Sequence, residues 1–218
     1  MQRKSIEGSA ELQDYVLSHS EQLEPHHLAL IEDTEQTFPD LTLYQVPPEQ
    51  GLALRMLTRI VSPARVLEIG TFTGLSAMLI AEGMGPDGRL VCLDINPETG
   101  ALARRHWDMA GLGDRISLRI GPADEALATM EGERFDMAFL DADKPGYVGY
   151  FEAVLPMLGS GGLVVADNTL LRGSVIDADE AGESTVALRR FNRHVADHPD
   201  VDTVMLPVYD GLTLIRKR

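Results

Sequence analysis

From residue 65 onward, short runs rich in valine, isoleucine and leucine recur between segments of helical length, and few folds accept that alternation. Strands are expected at about 65–70, 89–94, 116–120, 135–140 and 161–166, then at 201–206 and 211–215. Strands alternating with helices build a parallel sheet with helices on both faces. The last two runs are joined only by Pro207-Val208-Tyr209-Asp210-Gly211, too short for a crossover helix, so they should close the sheet as an antiparallel hairpin. The expected class is α/β, a doubly wound and mostly parallel sheet. Upstream the pattern is helical, at about 8–19, 25–37 and 49–61, the last starting after Pro47-Pro48 with Glu49 in its first turn. These helices could cover a cofactor, bind a partner subunit or pack on the core. At 218 residues without a low-complexity linker, the chain reads as one domain, residues 1–62 forming N-terminal helices and 63–218 the sheet core.

Two of the strand candidates end abruptly in oxygen-bearing side chains. Phe135-Asp136-Met137-Ala138-Phe139-Leu140 runs into Asp141-Ala142-Asp143-Lys144, and Gly161-Gly162-Leu163-Val164-Val165-Ala166 runs into Asp167-Asn168. Buried parallel strands deliver their last residues to a cleft, so the two ends could build one site. Asp141, Asp167 and Asn168 offer a cation only oxygen, a donor set that suits Mg²⁺ or Ca²⁺ better than zinc. Neighbours in an extended strand face opposite ways, so Asp167 and Asn168 can share an ion only where the chain turns. Lys144, three residues after Asp141, reaches the same cleft and can take a proton there. The plainer alternative is that the aspartates cap the next helix and Asp-Asn is a turn pair.

The first strand, Val66-Leu67-Glu68-Ile69, enters Gly70-Thr71-Phe72-Thr73-Gly74 and then a helix. Both glycines let backbone approach a ligand at the strand's carboxyl end, where doubly wound sheets bind nucleotides. The spacing is G-x-x-x-G, without the tighter G-x-G-x-x-G of dinucleotide folds, and Glu68 beside the turn would repel phosphate while welcoming an amino or sulfonium group. Asp94, ending the second strand, is placed to accept both hydroxyls of a ribose; otherwise it caps the next helix with Asn96-Pro97. Gly121-Pro122-Ala123-Asp124 ends the third strand beside the same crevice, within reach of an adenine.

The formal charge of −15, from 34 acidic and 19 basic residues, opposes binding to nucleic acid or anionic membranes, and leans away from a polyanionic ligand such as a CoA ester. No stretch approaches a membrane span and the start lacks a signal-peptide core, so a cytoplasmic protein is expected. Arg172, Arg189, Arg190 and Arg193 could line a local basic pocket, although Arg189-Arg190 suits a solvated helix face. Cys92 and Trp107 read as packing residues. The His26-His27 and His194/His198 pairs read as surface residues, since no third metal ligand stands near them in sequence.

The glycine motif, Asp94, the Phe139-Leu140-Asp141-Ala142-Asp143-Lys144 segment, the Gly161 to Asn168 run, the Leu188-Arg189-Arg190-Phe191-Asn192 helix and the ending Asp210-Gly211-Leu212, taken together and in order over about residues 40–218, resemble the cation-dependent O-methyltransferases of the catechol and caffeoyl-CoA type. That resemblance implies a seven-stranded methyltransferase sheet, S-adenosylmethionine as cofactor, and a divalent cation, Mg²⁺ ahead of Ca²⁺ or Mn²⁺. It implies that Val46, Glu68, Gly70 and Ser76 hold the amino-acid end of the cofactor, that Asp94 binds the ribose and that Ala123 sits by the adenine. Asp141, Asp167 and Asn168 match metal ligands, Asp141 touching the cofactor as well, and Lys144 matches the catalytic lysine. The implied acceptor is a small aromatic molecule with vicinal hydroxyls, and the implied assembly a homodimer. Leu171 stands where many relatives carry an aromatic residue, and Gln45 where methionine is frequent; both bear on the acceptor's shape and leave the metal chemistry intact. A nicotinamide-dependent oxidoreductase would share the sheet but not the glycine spacing, Glu68 or the oxygen ligands. A non-catalytic nucleotide-binding module would have no use for Lys144 beside three such ligands.

Overall fold

The computed structural model describes residues 9–218. Three α-helices precede the sheet: α1 (Ala10–Ser18), α2 (Pro25–Thr37) and α3 (Pro48–Val61), with a 3-10 turn at Pro39–Tyr44 that the sequence pattern did not suggest. Of the helix expected over 8–19, Gly8 lies outside the described residues. Ser9 caps α1 by accepting from the Leu12 amide, and proline opens α2 and α3, where an N–H has no intrahelical partner.

The core is a seven-stranded sheet of order β3-β2-β1-β4-β5-β7-β6. Its strands are β1 (Arg65–Ile69), β2 (Arg89–Asp94), β3 (Ile116–Ile120), β4 (Phe135–Leu140), β5 (Leu158–Ala166), β6 (Val201–Leu206) and β7 (Leu212–Lys217). The first five are parallel, and β7 runs antiparallel to both β5 and β6, as the short connection required. The connecting helices are α4 (Leu75–Gly83), α5 (Pro97–Met109), α6 (Ala123–Ala128), α7 (Tyr147–Val154) and α8 (Glu183–Ala196).

Strand alternation divides the core. Val66, Cys92, Met137, Phe139 and Val165 face α3, α4 and α5 with Leu54, Met78 and Trp107. Leu67, Ile69, Val91, Ala138, Leu140 and Val164 face the opposite side with Tyr147, Phe151, Leu188 and Phe191. Burying Leu, Ile, Val or Phe contributes roughly 1.5–3 kcal/mol each, so this two-sided packing fixes strand register firmly. Because β1 pairs with β2 on one side and β4 on the other, the chain reverses direction across the sheet at β1, and a crevice opens at the carboxyl ends.

β5 begins earlier than the expected 161. Phe135 pairs with Leu158 but Met137 with Leu163, so two steps along β4 correspond to five along β5. Gly161, at φ +84°, sits in this bulge, and register beyond it is regular up to Leu140 opposite Ala166.

The N-terminal helices are latched to the sheet layer through Glu82 of α4. His26 Nε2 and His27 Nε2 lie 2.6 and 2.9 Å from its Oε1, and Arg55 Nη1 donates to its Oε2 at 2.9 Å. His27 Nδ1 accepts from the Glu24 amide, so in the neutral ring the proton is on Nε2, which donates to Glu82. Burial alone would raise the Glu82 pKa, but the hydrogen bonds from His27, His26 and Arg55 prevail and hold it at about 2. The surface reading is therefore corrected for His27, whereas His26 and His194 keep side chains 37% and 35% exposed. His27 is fully buried, and each pair does meet a third residue, Glu82 in one case and Glu152 in the other. Both glutamates arrive from more than 40 positions away, beyond what local spacing shows.

Candidate active site

The crevice is built from strand ends in step. The Gly70 amide donates to Leu93 O, the Asp141 amide to Ile69 O and the Asp167 amide to Leu140 O, at 2.9, 2.8 and 2.9 Å. Parallel pairing thus carries past the last strand residues and sets Asp94, Gly70, Asp141 and Asp167 side by side.

Gly70 and Gly74 both have positive φ, +87° and +89°. A Cβ on Gly70 would collide with the Asp141 carbonyl, and one on Gly74 would meet the Trp107 ring at 2.7 Å. Trp107 Nε1 donates to Gly74 O, confirming it as a packing residue with an anchoring bond. Asp94 does not cap α5; Asn96 does, accepting from the Glu98 and Thr99 amides. Asp94 instead accepts from the Thr71 and Phe72 amides through Oδ2 and the Asn96 amide through Oδ1, fixing the glycine turn. From outside, Thr34 of α2 donates to Thr73 at 2.9 Å. Ser76 is buried in the first turn of α4, Val46 is buried before α3, and Ala123 opens α6.

Glu68 is fully buried on the β1 face beneath this turn. Its Oε2 accepts from Thr71 Oγ1 at 2.8 Å, while its Oε1 has no hydrogen-bond partner among the described residues. Burial raises its pKa to about 7 against the nearby hydroxyls of Ser76 and Thr71. An orphaned buried carboxylate oxygen fits a cationic ligand group such as an ammonium.

At β4 and β5, Lys144 Nζ donates to Asp141 Oδ1 at 3.1 Å, Asn168 Oδ1 at 2.5 Å and Tyr147 Oη at 2.8 Å. The carboxylate of Asp141 and the amide oxygen of Asn168 therefore converge on one point. Asn168 has φ +54°, the turn that Asp167 and Asn168 needed if they were to face one site. Asp167 is 3% exposed, and burial followed by the charge of Asp141 raises its pKa to about 7. Two carboxylates and an amide oxygen brought together in a partly buried corner suit a hard dication, which would relieve their repulsion. The capping alternative holds for Asp143 alone, which accepts from the Gly146 amide.

A family model described as O-methyltransferase matches residues 17–218. This chain belongs to the O-methyltransferase family. A probable caffeoyl-CoA O-methyltransferase of Dictyostelium discoideum is 34% identical over 209 residues, covering 94% of this chain and 90% of that one. A catechol O-methyltransferase of Mycobacterium tuberculosis is 35% identical over 180 residues, covering 80% and 81%. The crystal structure of a Bacillus cereus O-methyltransferase in complex with SAH superposes with a TM-score of 0.90 at 29% identity, covering 95% and 97%.

The O-methyltransferase is S-adenosylmethionine-dependent, and the corner around Lys144 contains side chains whose local sequence gave little sign of them. Tyr147, fully buried, touches Nζ; its helical spacing from Lys144 was the only signal. Burial raises its phenol well above the ordinary range, with the charges of Asp141 and Asp167 adding to it. Asp210 accepts from Asn168 Nδ2 at 3.2 Å and from the Arg172 amide, so the β6–β7 connection orients the candidate ligand. Gln50 of α3 is buried near Asp167, its Nε2 without a hydrogen-bond partner among the described residues. Arg189 is not a pocket cation: it donates to the carbonyls of Ser174, Val175 and Glu180 and ties the loop before α8. Among the described residues, no helix is long and apolar enough to cross a membrane.

Proposed function

We propose that the chain transfers a methyl group from S-adenosylmethionine to one hydroxyl of a vicinal aromatic diol in a divalent-cation-dependent reaction. The observation that carries this reading is the convergence of Asp141, Asp167 and Asn168 with Lys144 at two strand ends beside Glu68. The two relatives whose names include caffeoyl-CoA and catechol support an aromatic acceptor. When bound, the cation would supply Lewis acidity that lowers the acceptor's phenol pKa from its ordinary value near 10, and the cofactor the methyl group.

The chain's own residues divide the remaining work. Glu68, with Gly70, Ser76 and Val46, would receive the amino-acid end of the cofactor, the orphaned Oε1 offering its ammonium an acceptor; Asp94 would hold the ribose and Ala123 would border the adenine. Asp141, Asp167 and Asn168 hold the ion, Mg²⁺ by preference for an all-oxygen set that excludes thiols and imidazoles. Lys144 Nζ takes the hydrogen of the attacking hydroxyl, which keeps the oxygen nucleophilic while the rigid strand ends hold it in line.

Methyl transfer from labelled S-adenosylmethionine to a panel of catechols, with Mg²⁺ and with a chelator, tests the reading. Product only with the ion is expected; undiminished product in chelator overturns the cation's part. The proposal includes a homodimer, supported by Met56 and Ile60, exposed apolar side chains one turn apart on α3, and tested by sedimentation velocity.

A further inference from the structure

Tyr147 is fully buried at the start of α7, its ring edge-on to Phe191 with centroids 5.2 Å apart. Its Oη lies 3.2 Å from the carbonyl oxygens of both Leu140 and Asp167, and 2.8 Å from Lys144 Nζ. Carbonyls only accept, so the phenol hydrogen is committed to them and the oxygen lone pairs are left for Nζ. Asn168 is fixed in the same sense. Its Nδ2 donates to Asp210, which leaves Oδ1 toward Nζ. Every partner of Lys144 is therefore an acceptor.

We propose that Tyr147 is a positioning residue for Lys144, anchoring Nζ beside Asp141 and Asn168, where the acceptor hydroxyl is to be deprotonated. With its hydrogen committed to the two carbonyls, Tyr147 Oη can only accept from Nζ, which fixes the place of the amine. In the step it serves, the acceptor O–H bond breaks, an N–H bond forms on Nζ, and the bonding pair stays on the acceptor oxygen. Of the three partners, Tyr147 alone is not a candidate metal ligand, so its hold on Nζ persists whatever else the other two engage. The inference rests on the reading of Lys144 as the base.

The test is Tyr147→Phe, which keeps the ring against Phe191 and removes only the hydroxyl, measured with catechol and with the more acidic 4-nitrocatechol. A misplaced base costs about 10- to 100-fold, so kcat on catechol should fall by that order. KM for catechol, the calorimetric affinity for S-adenosylmethionine and Mn²⁺ affinity by electron paramagnetic resonance should stay within about twofold. The deficit should shrink on 4-nitrocatechol, whose hydroxyl ionises with little help, and Tyr147→Phe should add little to Lys144→Ala. Unchanged kcat, an equal deficit on both diols, or a drop in Mn²⁺ affinity, which would mark a clamp on the strand ends instead, overturns the inference. Wild-type turnover by Lys144→Ala alone removes the reading beneath it, an outcome distinct from a normal Tyr147→Phe enzyme beside a dead Lys144 variant.

Discussion

Replacing Glu82 by glutamine should weaken the protein strongly at neutral pH and much less in acid. The carboxylate receives His26, His27 and Arg55, its side chain is 18% exposed, and its pKa of about 2 compares with 4.5 for an unpaired glutamate. A depressed folded-state pKa contributes stability that is fully present above the unfolded value and is lost as pH falls through the folded one. At about 1.4 kcal/mol per unit, the interval of roughly 2.5 units amounts to about 3 kcal/mol at pH 7. The variant also leaves Arg55, 3% exposed, with Glu21 as its one anionic partner among the described residues, a kind of loss that costs about 3–5 kcal/mol when complete. In a chain of this size about 3 kcal/mol lowers the melting temperature by roughly 6–12 °C. By pH 3 most unfolded-state glutamate is protonated, and the same linkage leaves a gap of about 1 kcal/mol. Urea unfolding of both proteins at pH 7, 5, 4 and 3 measures this directly. A gap between wild type and variant that stays constant across that range would refute the reasoning, because it would mean Glu82 acts through packing and not through its charge.

Other expectations follow from the candidate site. Lys144→Ala should remove most turnover while S-adenosylmethionine still binds by calorimetry, and full turnover would sink the assignment of the base. Asp141→Ala should lower Mn²⁺ affinity and turnover together, because it removes a charged oxygen from the converging set; metal dependence equal to wild type would reduce Asp141 to a structural role. Glu68, with a pKa near 7 in the unliganded protein, should make cofactor affinity rise from pH 6 to pH 8 as the carboxylate forms. In Glu68→Gln that slope should vanish and affinity drop by about tenfold or more, as expected for a lost charged hydrogen bond; an unchanged titration would place the ammonium elsewhere.

The strand ends were legible because buried parallel strands must be apolar, so an oxygen-bearing residue at the end of such a run stands out. Asp141, Asp167 and the glycine turn at Gly70 were visible in this way, and the ordered motifs supplied the family. Helices α2 and α3 were legible from proline punctuation. What could not be read is whatever closes over long distances. The Asn168 amide is aimed by Asp210, 42 residues on, and His27 is buried by Glu82, 55 residues on; neither neighbourhood has a local signature. The early start of β5 was hidden because its bulge is glycine-rich and looks like a turn. Tyr147 was passed over because an apolar ring with one hydroxyl is indistinguishable, in a sequence, from core.

Asn168 couples two requirements that are usually separable. Its backbone stands at φ +54°, where asparagine, aspartate and glycine are at home and most side chains are strained, and its amide oxygen points at Nζ. Alanine would lose the oxygen and strain the turn at once, so an alanine scan overstates the oxygen's worth there. Glycine restores the turn alone, and the difference between the two variants isolates the backbone's share. Aspartate keeps the turn and an oxygen, but it loses the Nδ2 donor to Asp210 and sets a third carboxylate beside Asp141 and Asp167 and against Asp210. A change of charge at this position therefore also gives up the bond to Asp210 that aims the side chain.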